Sequence, residues 1–124
     1  MTDQKNNAIE ALEKIFHEPN RLAIMSAVCG SPGGLSFGDL RDACELTDGN
    51  LNRHLKVLEE AGAVKIEKQF VDSKPRTTVH LTDSGLKRFN EYLVALEDVL
   101  RTAQQAVPDE APAVSIPLGK TARA

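Results

Sequence analysis

The 124-residue chain predicts an α+β fold in which helices predominate. Apolar residues recur every three or four positions in several separate segments, which is the spacing of an amphipathic helix. Two short segments, 64–68 and 77–81, instead have the alternation and the β-branched residues of strands. Aromatic residues make up only 4% of the chain, so the core must be built mainly from aliphatic side chains, which suits packed helices.

Two helices are predicted in the first 30 residues. The first spans residues 7–16, and the second runs from Pro19 to Gly30. Pro19 separates them, because a proline disfavours helical geometry in the residue before it and is tolerated in a first helical turn. The apolar positions of the two helices are Ile9, Leu12, Ile15 and Phe16, then Leu22, Ile24, Met25 and Val28.

Two further helices are predicted after the glycine-rich loop at residues 30–34. A strand stub precedes the short third helix, whose apolar positions are Phe37, Leu40, Ala43 and Cys44. Thr47 is the predicted N-cap of the fourth helix, and Asp48 stabilises the positive end of the helix dipole. Gly62 is a suitable stop for this helix.

A β-hairpin, a long helix and a tail complete the chain. The hairpin pairs residues 64–68 with 77–81 through a polar turn at 71–76. The long helix opens at residues 82–85 and runs to about residue 106. We therefore assign residues 1–106 to one folded domain, and residues 107–124, which carry three prolines among small and polar residues, to a disordered tail.

The order of these elements predicts a winged helix-turn-helix: helix, helix, strand stub, helix, helix, β-hairpin, long helix. In such a fold the second helix of the motif can enter the DNA major groove, whose width admits one helix. The hairpin, or wing, can then reach an adjacent groove or the backbone.

The fourth helix has one apolar and one polar face. At about 100° per residue, Leu55 and Leu58 fall within about 40° of Leu51, and Arg53 and Lys56 lie opposite them. These polar types hydrogen-bond base edges or phosphates, but any solvated helix is polar outside. The pattern alone is therefore equally consistent with a plain surface helix.

The predicted hairpin carries a local excess of two positive charges, although the chain has a formal net charge of −3. A nucleic-acid surface must therefore come from local clustering of charge. Lys74 and Arg76 flank Pro75, which predicts that they are presented together at the turn.

Three stretches resemble one superfamily. Residues 51–64, LNRHLKVLEEAGAV, resemble the recognition-helix signature of the ArsR and MarR winged-helix regulators. Residues 18–25, EPNRLAIM, resemble the start of their second helix, and residues 80–85, HLTDSG, the end of their wing. The resemblance covers residues 9–100 and is nearest to the small MarR-like regulators.

The resemblance implies a set of DNA-binding residues. The positions that match the recognition helix, the wing and the helix-start hydroxyls are, in that order, Asn50, Asn52, Arg53 and Lys56, then Lys74 and Arg76, then Ser36 and Thr47. Metal sensing does not carry over from the ArsR members, because Cys44 stands alone where many of them have a cysteine pair and the last helix has no His.

A homodimer on a palindromic site is expected, because two-fold pairing doubles the DNA contacts. Apolar positions of the first and last helices form the expected interface: Ile9, Leu12, Phe16, Leu86, Phe89, Leu93, Leu96 and Leu100. The alternative is that these two helices only cover the core of their own domain.

No catalytic constellation, cofactor motif or metal-ligand cluster is evident, so we expect a non-enzyme without cofactor or metal. His17, His54 and His80 are scattered, and His54 at the edge of the buried face is expected to be structural. A polar N-terminus, two isolated cysteines and the absence of a bilayer-length apolar stretch predict a cytoplasmic protein without membrane association.

The function expected is that of a sequence-specific DNA-binding transcriptional regulator, a repressor that binds double-stranded DNA as a homodimer. Two alternatives stay open: a winged helix used only for protein interaction, and an ArsR-type metal-responsive sensor. An effector ligand is left open as a further partner.

Overall fold

The computed structural model describes residues 12–108. Within them the chain forms four helices and a three-stranded sheet, which confirms the winged helix-turn-helix. The elements are α1 (Pro19–Cys29), β1 (Leu35–Ser36), α2 (Phe37–Cys44), α3 (Asp48–Glu60), β2 (Val64–Val71), β3 (Lys74–Leu81) and α4 (Asp83–Ala106). Ile9 and the predicted tail from residue 109 onward lie outside the described residues.

The described part of the predicted first helix, residues 12–16, is a turn, so that prediction is wrong there. The N–H groups of Phe16 and His17 each donate to the carbonyl of Glu13 over 3.0 Å. Glu18 is extended before Pro19, at φ −146° and ψ 128°, which separates this turn from α1, and its side chain caps α1. The turn also brings Phe16 into the core.

A tight turn joins α2 to α3. Thr47 caps α3 by accepting the N–H of Asn50 over 3.1 Å, which confirms the predicted cap. Ser36 caps α2 in the same way by accepting the N–H of Asp39. Between the helices, Glu45 adopts the left-handed conformation with φ 56°, and its N–H closes on the carbonyl of Asp42. These local bonds orient α3 relative to α2.

The sheet is antiparallel with strand order β1-β3-β2. The wing strands are longer than predicted, and the turn contracts to Asp72 and Ser73, which have φ values of 53° and 66°. Lys74 and Arg76 therefore lie in β3 and not in the turn. Pro75 is tolerated in this strand because β1 pairs only with Thr78 and Val79, which leaves the outer side of Pro75 without a neighbouring strand.

One core joins α1, α3, the base of the wing and α4. Phe16 packs edge-on against Phe89, with ring centroids 5.4 Å apart, and both contact Tyr92. Phe16 and Phe89 are 0% and 2% exposed, so their expected place in a dimer interface is corrected: they lie inside their own domain. The two rings are buried because α4 packs against the 12–16 turn, which brings Phe89 into contact with Phe16.

The start of α4 is fastened to the loop between α3 and β2. Thr82 caps α4 by accepting the N–H of Gly85 over 2.8 Å, and its hydroxyl donates to the carbonyl of Gly62 over 2.6 Å. A Cβ at Gly85 would overlap the carbonyl of Ala63. Only glycine therefore lets α4 approach this loop so closely.

No helix within residues 12–108 is both long enough and apolar enough to cross a membrane.

Candidate nucleic-acid interface

Helix α3 divides into a buried and an exposed face. Leu51, His54, Leu55 and Leu58 are buried against the core. The four polar positions predicted to face DNA are all exposed, and they are Asn50, Asn52, Arg53 and Lys56. The outward face therefore carries amides and cations along its middle, with the acidic Asp48 at its start and Glu59 and Glu60 at its end.

The first turns of α3 hold a hydrogen-bonded pair. The Nη2 of Arg53 donates to the Oδ1 of Asn50 over 3.0 Å, and both side chains are exposed. The Thr47 oxygen, one turn earlier, already accepts from the backbone. The hydrogen bond holds the Arg53 guanidinium near the N-terminal end of α3. The same guanidinium N–H can donate to an external acceptor in place of Asn50.

Arg41 ties α2 to the start of α3. Its Nη1 lies 3.0 Å from Asp48 Oδ1, and its Nε lies 3.1 Å from Asp42 Oδ1. Hydrogen bonds to Asp48 and then Asp42 raise the pKa of Arg41, which stays cationic. Arg41 thus offsets the acidic group that would otherwise oppose an anion at this helix end. The sequence pattern does not reveal this interaction, because the pair is seven residues apart and depends on the turn geometry.

His54 links α3 to α1 from beneath. It is 3% exposed, as expected for a structural histidine, and the Nη1 of Arg21 lies 3.1 Å from its Nδ1. The Nε of Arg21 also donates to the carbonyl of Ile15 over 2.7 Å. Burial lowers the pKa of His54, with a smaller opposing effect from Glu18.

An open groove of about 490 Å³ separates α3 from the wing. Its polar lining comes from α3 and from both wing strands, and consists of Asn52, Lys56, Glu59, Lys68 and Thr77. Phe37, Leu55 and Ile66 form its apolar floor. The groove therefore joins two of the predicted helix residues to Lys68, a wing cation that the sequence pattern did not assign to DNA.

Lys74 and Arg76 are exposed and lie two residues apart in β3, so they share one face of the wing. They do not line the groove. Ser36 is half-buried at the start of α2, where its oxygen accepts the N–H of Asp39 over 3.1 Å. The predicted residues thus fall into three groups: the face of α3, the cationic face of the wing, and the helix caps.

The predicted dimer positions on α4 are split between two faces. Leu86, Leu93 and Leu100 are exposed at 52%, 41% and 51%, whereas Leu96 is half-buried and packs on the core. Leu12, outside α4, is also half-buried against the core. The exposed leucines recur every seven residues and form one row along the helix, which we call the outer leucine row.

Within the part of the chain that the structure describes, no three His, Cys, Asp or Glu side chains are grouped closely enough to hold a metal ion. Both cysteines are half-buried. Burial raises the pKa of the Cys29 and Cys44 thiols, which favours their protonated, unreactive form.

Sequence comparison finds a match between residues 20–100 and the model of a winged helix DNA-binding domain family. An uncharacterised protein of Methanocaldococcus jannaschii is 35% identical over 80 residues, which are 64% of this chain and 86% of that protein.

Structure comparison identifies the same fold. A transcriptional regulator homologue from Pyrococcus horikoshii OT3 is 32% identical with a TM-score of 0.72, and the match covers 78% of this chain and 97% of that one. A structure from Enterococcus faecalis V583, described as a putative transcriptional regulator of the MarR family, is 24% identical with a TM-score of 0.65. That match covers 85% of this chain and 93% of the other. With 81 of its 124 residues matched by the family model, the chain belongs to the winged helix DNA-binding domain family and has the fold of MarR-type regulators.

Proposed function

We propose that the protein is a sequence-specific transcriptional regulator that binds a palindromic DNA site as a homodimer. One observation carries this proposal: α3 buries its apolar stripe completely and exposes Asn50, Asn52, Arg53 and Lys56 on one side, next to a cationic wing. A helix presented in this way fits the major groove, while the wing reaches beyond it.

Arg53 and Asn50 supply the sequence readout. An Arg side chain forms two hydrogen bonds with guanine, and an Asn side chain forms two with adenine. In the free protein the two side chains are hydrogen-bonded to each other over 3.0 Å. On DNA, base edges replace that mutual hydrogen bond, and the short distance keeps both groups in position.

Phosphate contacts supply the orientation. Lys56 on α3 and the Lys74–Arg76 pair on β3 lie on different elements, so they can hold the backbone at two separated points. Thr47 and Ser36 mark helix N-termini, where backbone N–H groups and hydroxyls favour an anion.

Dimerisation is supported by the outer leucine row. Helix α4 has 24 residues and is about 36 Å long. Its last ten residues, 97–106, include no fully buried side chain. An isolated helical segment of this length is marginal in water. A second copy that packs along Leu86, Leu93 and Leu100 would cover the row and stabilise the segment.

Repression by occlusion follows from these interactions. A dimer that fills two successive major grooves and adds its wings on either side excludes other proteins from the same DNA. A site within a promoter would therefore be closed to the polymerase.

The experiment is selection of duplexes from a random library by the purified protein, followed by light scattering of the complex. The expected result is an inverted repeat with half-sites about one helical turn apart, bound by two chains. A protein that enriches no sequence and binds no duplex in low salt would instead be an interaction module, and the proposal would fail.

A further inference from the structure

The tip of the wing carries an exposed aromatic ring. Phe70 in β2 is 77% exposed, and no other large apolar side chain among the described residues is exposed to a greater extent. Three cations lie within two positions of the Phe70–Pro75 pair on the two strands, Lys68, Lys74 and Arg76, with Asp72 as the nearby acid. A ring in this position contributes nothing to the core of its own domain.

The hairpin register fixes what lies beside the ring. Asp72 and Ser73 form a two-residue turn, so Val71 and Lys74 are the hydrogen-bonded pair that closes it. The next pair, Phe70 and Pro75, is then a non-hydrogen-bonded pair, in which side chains approach most closely. The missing N–H of Pro75 costs no ladder bond at this position. The tip thus presents a compact apolar knob made of Phe70 and Pro75.

The knob and the Lys74–Arg76 pair lie on opposite faces of the wing. Phe70 shares its face of β2 with Ile66 and Lys68, both of which line the groove beside α3. Lys74 and Arg76 occupy the other face. The end of the wing therefore has cations on both faces, with the apolar knob on the Lys68 face, which is an arrangement complementary to an apolar groove bordered by two rows of negative charge.

A purely structural role explains this arrangement less well. A cross-strand pair of Phe70 with Pro75 stabilises a hairpin only modestly, and it gains most when both side chains are covered. The ring is instead three-quarters in solvent, and the two positive φ values of Asp72 and Ser73 already define the turn.

We propose that Phe70 is an apolar wedge that packs into the DNA minor groove, an inference that rests on the proposed function. The minor groove has walls of deoxyribose C–H groups and lies between two phosphate rows. Lys68 on one face of the wing and Lys74 and Arg76 on the other contact those two rows. The ring, on the Lys68 face, packs against the sugars and base edges of the groove, so that it contributes affinity without charge.

The test compares Phe70→Ala with the Lys74→Ala/Arg76→Ala double variant on the duplex selected by the wild type, over a range of salt. Phe70→Ala should weaken binding about tenfold with an unchanged salt slope, because counterion release is unaffected. The double variant should lower both affinity and slope. Phe70→Leu, which keeps an apolar side chain, should retain most of the affinity. A Phe70→Ala protein with wild-type affinity would overturn the wedge while leaving the proposed function intact.

A second measurement locates the ring on the DNA. Hydroxyl radicals cut deoxyribose from the minor groove, so the wild type should protect sugars that flank each half-site. Phe70→Ala should lose that protection at a protein concentration that still saturates the duplex. Unchanged protection overturns the proposal. A changed mass in light scattering also overturns it, because Phe70 would then lie between copies of the chain. Circular dichroism checks that the variant is folded.

Discussion

The guanidinium of Arg21 donates a hydrogen bond from Nη1 to Nδ1 of His54 over 3.1 Å. Arginine has no acceptor, so Nδ1 must accept and the imidazole is neutral with its proton on Nε2. The pair joins α1 to the buried side of α3, one residue from Arg53. The orientation of the exposed face of α3 therefore depends on the uncharged form of His54.

Stability should fall as the pH drops below about 6.5. Burial lowers the pKa of His54 from 6.5, and the charges of Arg53 and Arg21 act in the same direction against Glu18. Below pH 6.5 the His54 ring takes up a proton in the unfolded chain but not yet in the folded chain. The free energy of unfolding therefore decreases between pH 6.5 and the lower pKa of His54 in the folded state. Urea unfolding at pH 7.5 and 5.5 measures this loss, which His54→Gln should reduce.

An NMR titration of the His54 ring gives a direct check on the cause. A midpoint below 6.5 agrees with a neutral ring held by Arg21. A midpoint at or above 6.5, or an equal pH slope in the wild type and His54→Gln, would contradict this account of the pair.

Replacing Arg53 should relax sequence preference at one position of each half-site. Without its two hydrogen bonds to guanine, about 1–3 kcal/mol of discrimination disappears. Binding-site selection with Arg53→Ala measures the change. The matched control is Lys56→Ala, one turn further along the same face, which should weaken all duplexes equally and leave the preference intact. An unaltered preference in Arg53→Ala would count against direct readout by this residue.

Gly85→Ala should destabilise the fold by at least about 2 kcal/mol, because a Cβ there overlaps the backbone carbonyl of Ala63 and forces α4 outward. Gly49→Ala is the control, since it also lies in a first helical turn but its Cβ would meet nothing within 4 Å. That change should be neutral or stabilising by up to about 1 kcal/mol. Denaturant unfolding compares them, and equal effects would refute the close approach at Gly85.

Replacing two leucines of the outer row, Leu86→Glu with Leu93→Glu, should yield a monomer that keeps its helical content but binds the palindrome weakly. Both side chains are exposed in the single chain, so the domain core should survive. Lys87→Glu, an exposed change on another side of α4, should stay dimeric. Light scattering at micromolar concentration measures the mass, and a wild type that is monomeric there would contradict the dimer.

The sequence predicts the parts of this fold that local chemistry determines. The Thr47 cap, the apolar stripe of α3 and the opening of α4 at Thr82 each depend on residues within one or two helical turns. The exposed positions of α3 follow from the same periodicity, which is why the candidate readout residues can be chosen from the sequence alone.

Tertiary packing decides the parts that the sequence does not predict. The pattern at residues 12–16 is helical, but the core takes up Phe16 and the chain turns. The polar composition of residues 71–76 suggests a wide turn, but two positive φ values close the hairpin at Asp72 and Ser73 and extend both strands. Leu93 and Phe89 look alike in the sequence, and only the packing of α4 shows which one is exposed.

We propose that α3 and the wing bind DNA largely through attraction to the charged phosphates, and the salt dependence of the affinity tests this most directly. Fluorescence anisotropy measures the affinity for the selected duplex over about 50 to 200 mM salt. The logarithm of the binding constant should fall steeply and linearly with the logarithm of the salt concentration. In Lys74→Ala/Arg76→Ala that slope should become shallower by about 0.9 for each phosphate that the wing no longer neutralises. A wild-type affinity that does not change with salt would contradict DNA binding through phosphate charge. A double variant with the wild-type affinity and slope would contradict the role of the wing.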